Sequence, residues 1–172
     1  MSIAQDMLKE FEHQAPITRG FLERLPEDKL TWKPHEKSMS AGMLAYHLAT
    51  VPGALMKAVA QSSVPAPDFK FPEPKNKEEI LAVFDESVET VRAELPKFDD
   101  AAMHETWRLM NGDQVVLAQE RGLFLRDVLF SHLYQHRGQF SVYLRMLNVA
   151  VPASFGPSAD EPPMFMQNEM AA

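Results

Sequence analysis

The chain has 172 residues, of which 45% are hydrophobic, so it is long enough to bury one core. The formal net charge of −7 and the lack of any basic cluster argue against nucleic acid or an anionic membrane as the main partner. No cysteine is present, which excludes disulfides, thiolate metal ligands and a cysteine nucleophile.

The termini and the cysteine content also give an expectation for location. The stretch MSIAQDMLKEFEH is charged from Asp6 onward and lacks the apolar region of a signal peptide. No run of about 18 apolar residues occurs, so no membrane span is expected. Because the absence of cysteine fits a reducing compartment, we expect a cytoplasmic protein. We also expect residues 1–172 to form a single domain.

The first half of the chain contains two segments with helical periodicity. The first runs from about Ile3 to Leu25 and contains Pro16, which predicts a kink or an early break. The second follows two serines, Ser38 and Ser40, either of which can cap its first turn. It contains a proline that could bend it, and it is followed by the proline-rich stretch QSSVPAPDFKFPEPKN, which we interpret as an extended crossover.

Two further helical segments lie in the second half. One begins at Asn76, which has capping-box spacing to Glu79, and ends near residues 96–100. The other runs from about Gly122 to Leu147. Between them, Asn111-Gly112 separates two alternating stretches and predicts a two-stranded hairpin.

These elements predict an all-α fold. We expect a four-helix bundle with a long crossover between helices 2 and 3 and a small β-hairpin between helices 3 and 4. After the last helix, NVAVPASFGPSADEPP is rich in proline, glycine and serine and is expected to be loop. Residues 164–172 are expected to form a disordered tail.

The stretch FSHLYQHRGQF carries two histidines, His132 and His136, on the apolar face of the last helical segment. A spacing of four residues places them about 40° apart around the helix axis, so both imidazoles could bind one metal ion. The alternative is a pair of core histidines satisfied by carboxylates or water. His47 lies on the apolar face of the second segment, and a bundle brings inward-facing side chains of different helices together. Three histidines would leave further coordination positions open.

Three other residues of the last segment are candidates for substrate binding. Gln139 and Tyr143 continue the face that carries the histidines, and Tyr143 could donate a hydrogen bond to a substrate. Arg137 lies toward the flank and could bind an anionic group of a substrate. The alternatives are a core tyrosine and an interhelical ion pair.

The stretches LTWKPHEKSMSAGMLAYHL and FLRDVLFSHLYQHRGQFSVYLRMLNVAVPASFGPSADE together resemble the DinB-like superfamily, which includes the YfiT-type metal-dependent hydrolases. The matching features are Trp-x-Pro and a serine before the second helix, a histidine within it, and H-x-x-x-H-R-G-Q in the fourth. The resemblance implies a four-helix bundle that is often a homodimer. It also implies a divalent metal, zinc or nickel, on His47, His132 and His136. Relatives with assigned activity include bacillithiol transferases and mycothiol-dependent maleylpyruvate isomerases, in which the metal activates a low-molecular-weight thiol.

Two classes of enzyme follow as hypotheses. A thiol needs less help than water to lose its proton, which favours thiol-dependent S-transferase chemistry on a small electrophile. Hydrolysis of a small substrate is the alternative, and it would usually need a general base, for which Asp160 or Glu161 could serve. Two further hypotheses are a metal-binding module without catalysis and a helical interaction protein without metal. No residue is assigned as the catalytic base.

Overall fold

A computed structural model describes residues 2–68 and 72–162 of the chain. The fold is mostly helical with one small sheet, as the sequence predicts at this level. The helices are α1 (Ile3–Glu23), α2 (Ala41–Val59), α3 (Lys77–Glu94), α4 (Asp100–His104), α5 (Arg121–Leu125) and α6 (Leu133–Met146). The strands are β1 (Ser63–Pro65), β2 (Thr106–Asn111) and β3 (Gln114–Glu120). The predicted disordered tail, residues 164–172, lies outside the described residues.

Helix α1 continues through Pro16, so the predicted early break is wrong. Both neighbours of the proline, Ala15 and Ile17, are buried in the core, and their packing offsets the one backbone hydrogen bond that proline cannot make. The first turn is closed by a capping box, in which the Ser2 hydroxyl accepts from the Gln5 N–H and the Gln5 side chain accepts from the Ser2 N–H.

Side-chain caps fix where α2 and α3 begin. Of the two predicted serines, Ser40 caps α2, because its hydroxyl accepts from the Met43 N–H at 3.0 Å. Asn76 caps α3 by accepting from the Glu79 N–H at 2.8 Å, as predicted. The Glu79 carboxylate accepts in turn from the Lys75 N–H at 2.7 Å, one residue before the position that a capping box would use.

The predicted hairpin is present, but its sheet is larger than predicted. Strands β2 and β3 are antiparallel, and β1, from the proline-rich crossover, adds a third strand parallel to β2. The turn is centred on Gly112 and Asp113, since Asn111 pairs with Gln114. Gly112 has a φ of 57°, which glycine adopts without strain. The short strand β1 contains a valine between a serine and a proline, a pattern too brief for periodicity to detect.

The last helical segment is continuous but irregular. Between α5 and α6 the residues Arg126–His132 form π-helical turns, which no sequence pattern indicated. A π-helical turn holds more residues than an α-helical turn, so it shifts the faces that follow. The prediction that the histidines and the apolar residues of this segment share one buried face is therefore wrong in detail. The side chains that α6 buries are Leu133, Arg137, Phe140 and Leu144, whereas His132 and His136 are only half-buried.

The four long helical segments pack against one another around one core. Helix α2 contacts α3, the π-helical turns and α6, while α1 contacts α3 and α6. The largest fully buried side chains include Phe11 and Phe21 of α1, Phe84 of α3, and Phe130 and Phe140 of the last segment. Within the described residues no helix is both long enough and apolar enough to cross a membrane.

Trp107 fastens the sheet to this helical core. It is 1% exposed, stacks on Phe124 with ring centroids 4.1 Å apart, and donates from its indole N–H to the Ala58 carbonyl at 3.2 Å. An isolated hairpin is marginal in water, so these contacts hold the sheet in place.

We expect Trp107→Ala to lower the free energy of unfolding by about 3–5 kcal/mol, because it leaves a large cavity in the contact between the sheet and the helices. Val116→Ala on β3 is the matched control, since Val116 is 50% exposed and should cost less than about 0.5 kcal/mol. Urea unfolding followed by circular dichroism measures both. Equal losses in the two variants would contradict the anchoring role of Trp107.

Candidate metal centre

His47 is presented to the site by the middle of α2. Its neighbours Leu44 and Leu48 are at most 1% exposed, so this side of the helix is packed into the core. The residue His47 is 7% exposed. A histidine on the inner face of a packed helix has few side-chain conformations open to it, so the ring of His47 is held toward the last helical segment.

His132 and His136 meet His47 from the last helical segment. His132 ends the π-helical turns, and His136 lies in the first turn of α6. The Nε2 atom of His132 is 3.3 Å from that of His47 and 3.0 Å from that of His136. The structure thus brings the three predicted histidines together, with ligand atoms that all lie within 4.8 Å of one another.

These spacings fit three ligands of one divalent ion. With metal–nitrogen distances near 2.0–2.1 Å, neighbouring nitrogens stand about 3.3 Å apart in a tetrahedral shell and about 2.9 Å apart in an octahedral shell. The two Nε2 separations, 3.3 and 3.0 Å, fall in that range. Within residues 2–68 and 72–162 no Asp or Glu joins the three histidines. The group could therefore hold a metal ion with nitrogen ligands alone and leave further positions open.

Burial favours the neutral forms of His47 and His132. Removal of water around His47, with smaller effects of His136 and His132, lowers its pKa to about 4. The pKa of His132 is also lowered, mainly by burial and then by His136. A neutral imidazole offers a lone pair, so both rings are in the state that a metal ion requires near pH 7.

Two of the predicted substrate contacts lie beside the histidines in sequence and make contacts of their own. The Gln139 amide oxygen is 2.7 Å from Nδ1 of His136. The Tyr143 hydroxyl donates to the Met39 carbonyl at 3.3 Å, and its ring meets the edge of Trp32 with centroids 5.6 Å apart. The contact between Gln139 and His136 was not predicted, although their spacing of three residues on one helix indicates that the two side chains can meet.

Arg137 faces α1, on a different side of α6 from the histidines. It is 2% exposed and donates to the Gln14 side-chain oxygen at 2.8 Å and to the Thr18 hydroxyl at 3.2 Å. Its guanidinium lies over the rings of Tyr134 and Phe155. Burial lowers the pKa of Arg137 to about 10, so the group stays charged at neutral pH. It joins two helices through hydrogen bonds to neutral groups and not through the ion pair considered as its alternative.

Asp160 and Glu161, the two carboxylates considered as a general base, hold the loop after α6 in place. Asp160 pairs with Arg145 and accepts from the Val151 N–H at 2.8 Å. Glu161 pairs with Arg24 and accepts from the Ala153 N–H at 2.8 Å. The bond to Arg145 and that to the Val151 N–H lower the pKa of Asp160, which makes it a weaker base.

The comparisons with known proteins show the family and the fold of the chain. The sequence profile of the DinB superfamily matches residues 10–140.

The chain belongs to the DinB superfamily.

The uncharacterized protein YrdA of Bacillus subtilis is 24% identical to this chain over 155 residues, which are 90% of this chain and 89% of YrdA. A DinB-like protein from Bacillus cereus has a similar structure, with a TM-score of 0.69, 18% identity and coverage of 86% of this chain and 94% of that one. The DinB-like protein YjoA of Bacillus subtilis has a TM-score of 0.65, 20% identity and coverage of 86% and 95%. At these identities the structures show a shared fold.

The lowered pKa of His47 predicts an acid-sensitive metal-free protein. The unfolded chain binds a proton at this histidine near pH 6.5, whereas the folded chain resists it down to about pH 4. The free energy of unfolding should therefore fall as the pH is lowered from about 6.5 toward 4, and His47→Gln should flatten that fall. Urea unfolding in the presence of a chelator at several pH values measures it. An unchanged slope in His47→Gln, with the exposed-site variant His35→Gln as control, would contradict this account.

Arg137→Met tests whether this arginine serves the fold. We expect the free energy of unfolding to fall by about 1–3 kcal/mol, because Gln14 and Thr18 lose a buried donor. Zinc affinity should change less than twofold. Arg108→Met, at an exposed position on β2, is the matched control and should leave both quantities unchanged. A loss of zinc affinity with unchanged stability would show that Arg137 acts on the metal centre.

Proposed function

We propose that the protein is a divalent-metal-dependent enzyme, with His47, His132 and His136 as the ligands, that transfers a low-molecular-weight thiol to a small electrophile. The observation that carries this proposal is the convergence of three Nε2 atoms at separations of 3.0 and 3.3 Å in a group without a carboxylate. Zinc or nickel suits such an imidazole set.

The three histidines have the properties of an open centre. His47 is buried, while His132 and His136 are half-buried, so the group lies at the edge of the core and is partly exposed on the side of the last helical segment. Structural zinc sites are usually closed by four protein ligands, and catalytic sites commonly use three. A three-histidine group therefore supports a reactive centre over a structural one.

The choice of thiol transfer over hydrolysis rests on the lack of an Asp or Glu beside the three histidines in the part of the chain that the structure describes. A bound divalent ion lowers the pKa of a thiol or water that reaches it, and the thiol starts from the lower value. Asp160 and Glu161 are held by Arg145, Arg24 and backbone N–H groups, so they are poorly placed to take a proton from water. In the transfer, the thiol proton leaves to solvent, a sulfur–carbon bond forms, and the leaving group departs with its bonding electron pair.

The superfamily resemblance extends the proposal beyond the site. We retain as expectations the four-helix bundle, a homodimer, a small-molecule substrate and a cytoplasmic location. Hydrolysis of a small substrate remains the alternative function.

The first test is the metal content of protein purified without an affinity tag. We expect one ion per chain in the wild type and a loss of at least tenfold in metal affinity for each of His47→Ala, His132→Ala and His136→Ala. His104→Ala is the matched control, because that exposed histidine pairs with Glu120 away from the trio. Wild-type protein that binds neither zinc nor nickel on reconstitution would overturn the proposal.

The second test separates transfer from hydrolysis. Metal-loaded protein is assayed with bacillithiol, mycothiol or glutathione and a chromogenic electrophile, and in parallel with an activated ester without thiol. We expect thiol-dependent turnover that disappears in the three histidine variants. Ester hydrolysis without thiol, lost in the same variants, would favour the hydrolase.

A further inference from the structure

We infer that Gln139 is a positioning residue that fixes which nitrogen of His136 carries the proton, and so prepares Nε2 of His136 as a metal ligand. The inference rests on the proposed metal centre but concerns a residue that the ligand set does not include. It is carried by the 2.7 Å contact between the Gln139 amide oxygen and Nδ1 of His136.

The chemistry of the contact decides the tautomer. An amide oxygen can only accept a hydrogen bond, so Nδ1 of His136 must be the donor. A neutral imidazole with its proton on Nδ1 has its lone pair on Nε2. That Nε2 atom is the one that lies 3.0 Å from Nε2 of His132, within the group of three histidines. Gln139 thus directs the lone pair of His136 into the centre.

The two histidines of the last helical segment differ at their outer nitrogens. Nδ1 of His132 is buried and has no hydrogen-bond partner among the described residues. Nδ1 of His136 has the Gln139 amide oxygen at 2.7 Å. A side chain therefore holds the outer nitrogen of His136 but not that of His132, and Gln139 is the position at which the effect can be tested.

The helix supplies the geometry without any long-range contact. Gln139 follows His136 by three residues on α6, a spacing that places the two side chains on one face. Gln139 itself is exposed, so its amide carries no role in the core. Partners that hold the outer nitrogen of a ligating histidine typically change metal affinity by 10–100-fold when removed, and the exposure of this one places its effect near the lower end.

The first experiment reads the tautomer in metal-free protein by ¹⁵N nuclear magnetic resonance of the histidine rings, with His136→Gln used to assign the signals. We expect His136 to carry its proton on Nδ1 in the wild type and to become a mixture of tautomers in Gln139→Ala. Gln139→Glu keeps an acceptor and should keep the Nδ1 proton. Gln135→Ala, at an exposed glutamine one turn earlier on α6, is the matched control.

The second experiment measures zinc affinity by competition with a chromophoric chelator. We expect about a tenfold loss in Gln139→Ala, an equal or tighter affinity in Gln139→Glu, and no change in Gln135→Ala. A wild-type His136 with its proton on Nε2, or a Gln139→Ala variant with unchanged tautomer and affinity, would overturn the inference. Failure of the wild type to bind zinc would count against the proposed function, while the tautomer measurement would still decide the role of Gln139.

Discussion

The candidate metal centre depends on one constraint, the burial of a neutral imidazole between two packed helices. His47 is fixed in α2, which contacts both the π-helical turns and α6. Loss of water around its ring disfavours the charged form, so His47 remains a neutral donor where a solvated histidine would begin to protonate. The packing of α2 into the core, where Leu44 and Leu48 are also buried, thus favours the neutral form of His47.

The last helical segment serves two interfaces at once. His136 and Arg137 are consecutive, so their side chains diverge by about 100° around the axis. The histidine meets α2 and the arginine meets Gln14 and Thr18 of α1. The π-helical turns that end at His132 change the direction in which the side chains of α6 point relative to those of α5. Such turns are common at functional sites, and here they place His132 where it meets both other histidines.

The two carboxylates considered as a general base stabilise the loop after α6. Asp160 and Glu161 bind backbone N–H groups of the loop after α6 and pair with arginines on α6 and at the end of α1. This leaves the three histidines without a carboxylate neighbour in the part of the chain that is described. The proposal of thiol transfer follows from this arrangement, because a bound divalent ion would deprotonate a thiol more readily than water without help from a carboxylate.

The sequence by itself determined the elements that depend on local chemistry. Ser40 and Asn76 cap helices because their side chains satisfy free N–H groups, and Gly112 marks a turn because it tolerates a positive φ. The spacing of His132 and His136 was enough to nominate both as ligands of one ion.

The tertiary structure decided what depends on contacts between distant segments. The distances from His47 to the other two histidines, the third strand β1 and the inward direction of Arg137 arise from packing, and no local pattern encodes them. Pro16 shows the same dependence, since its local preference for a break is overridden by the burial of Ala15 and Ile17. Local propensity amounts to a few kcal/mol, and the burial of a helix face outweighs it.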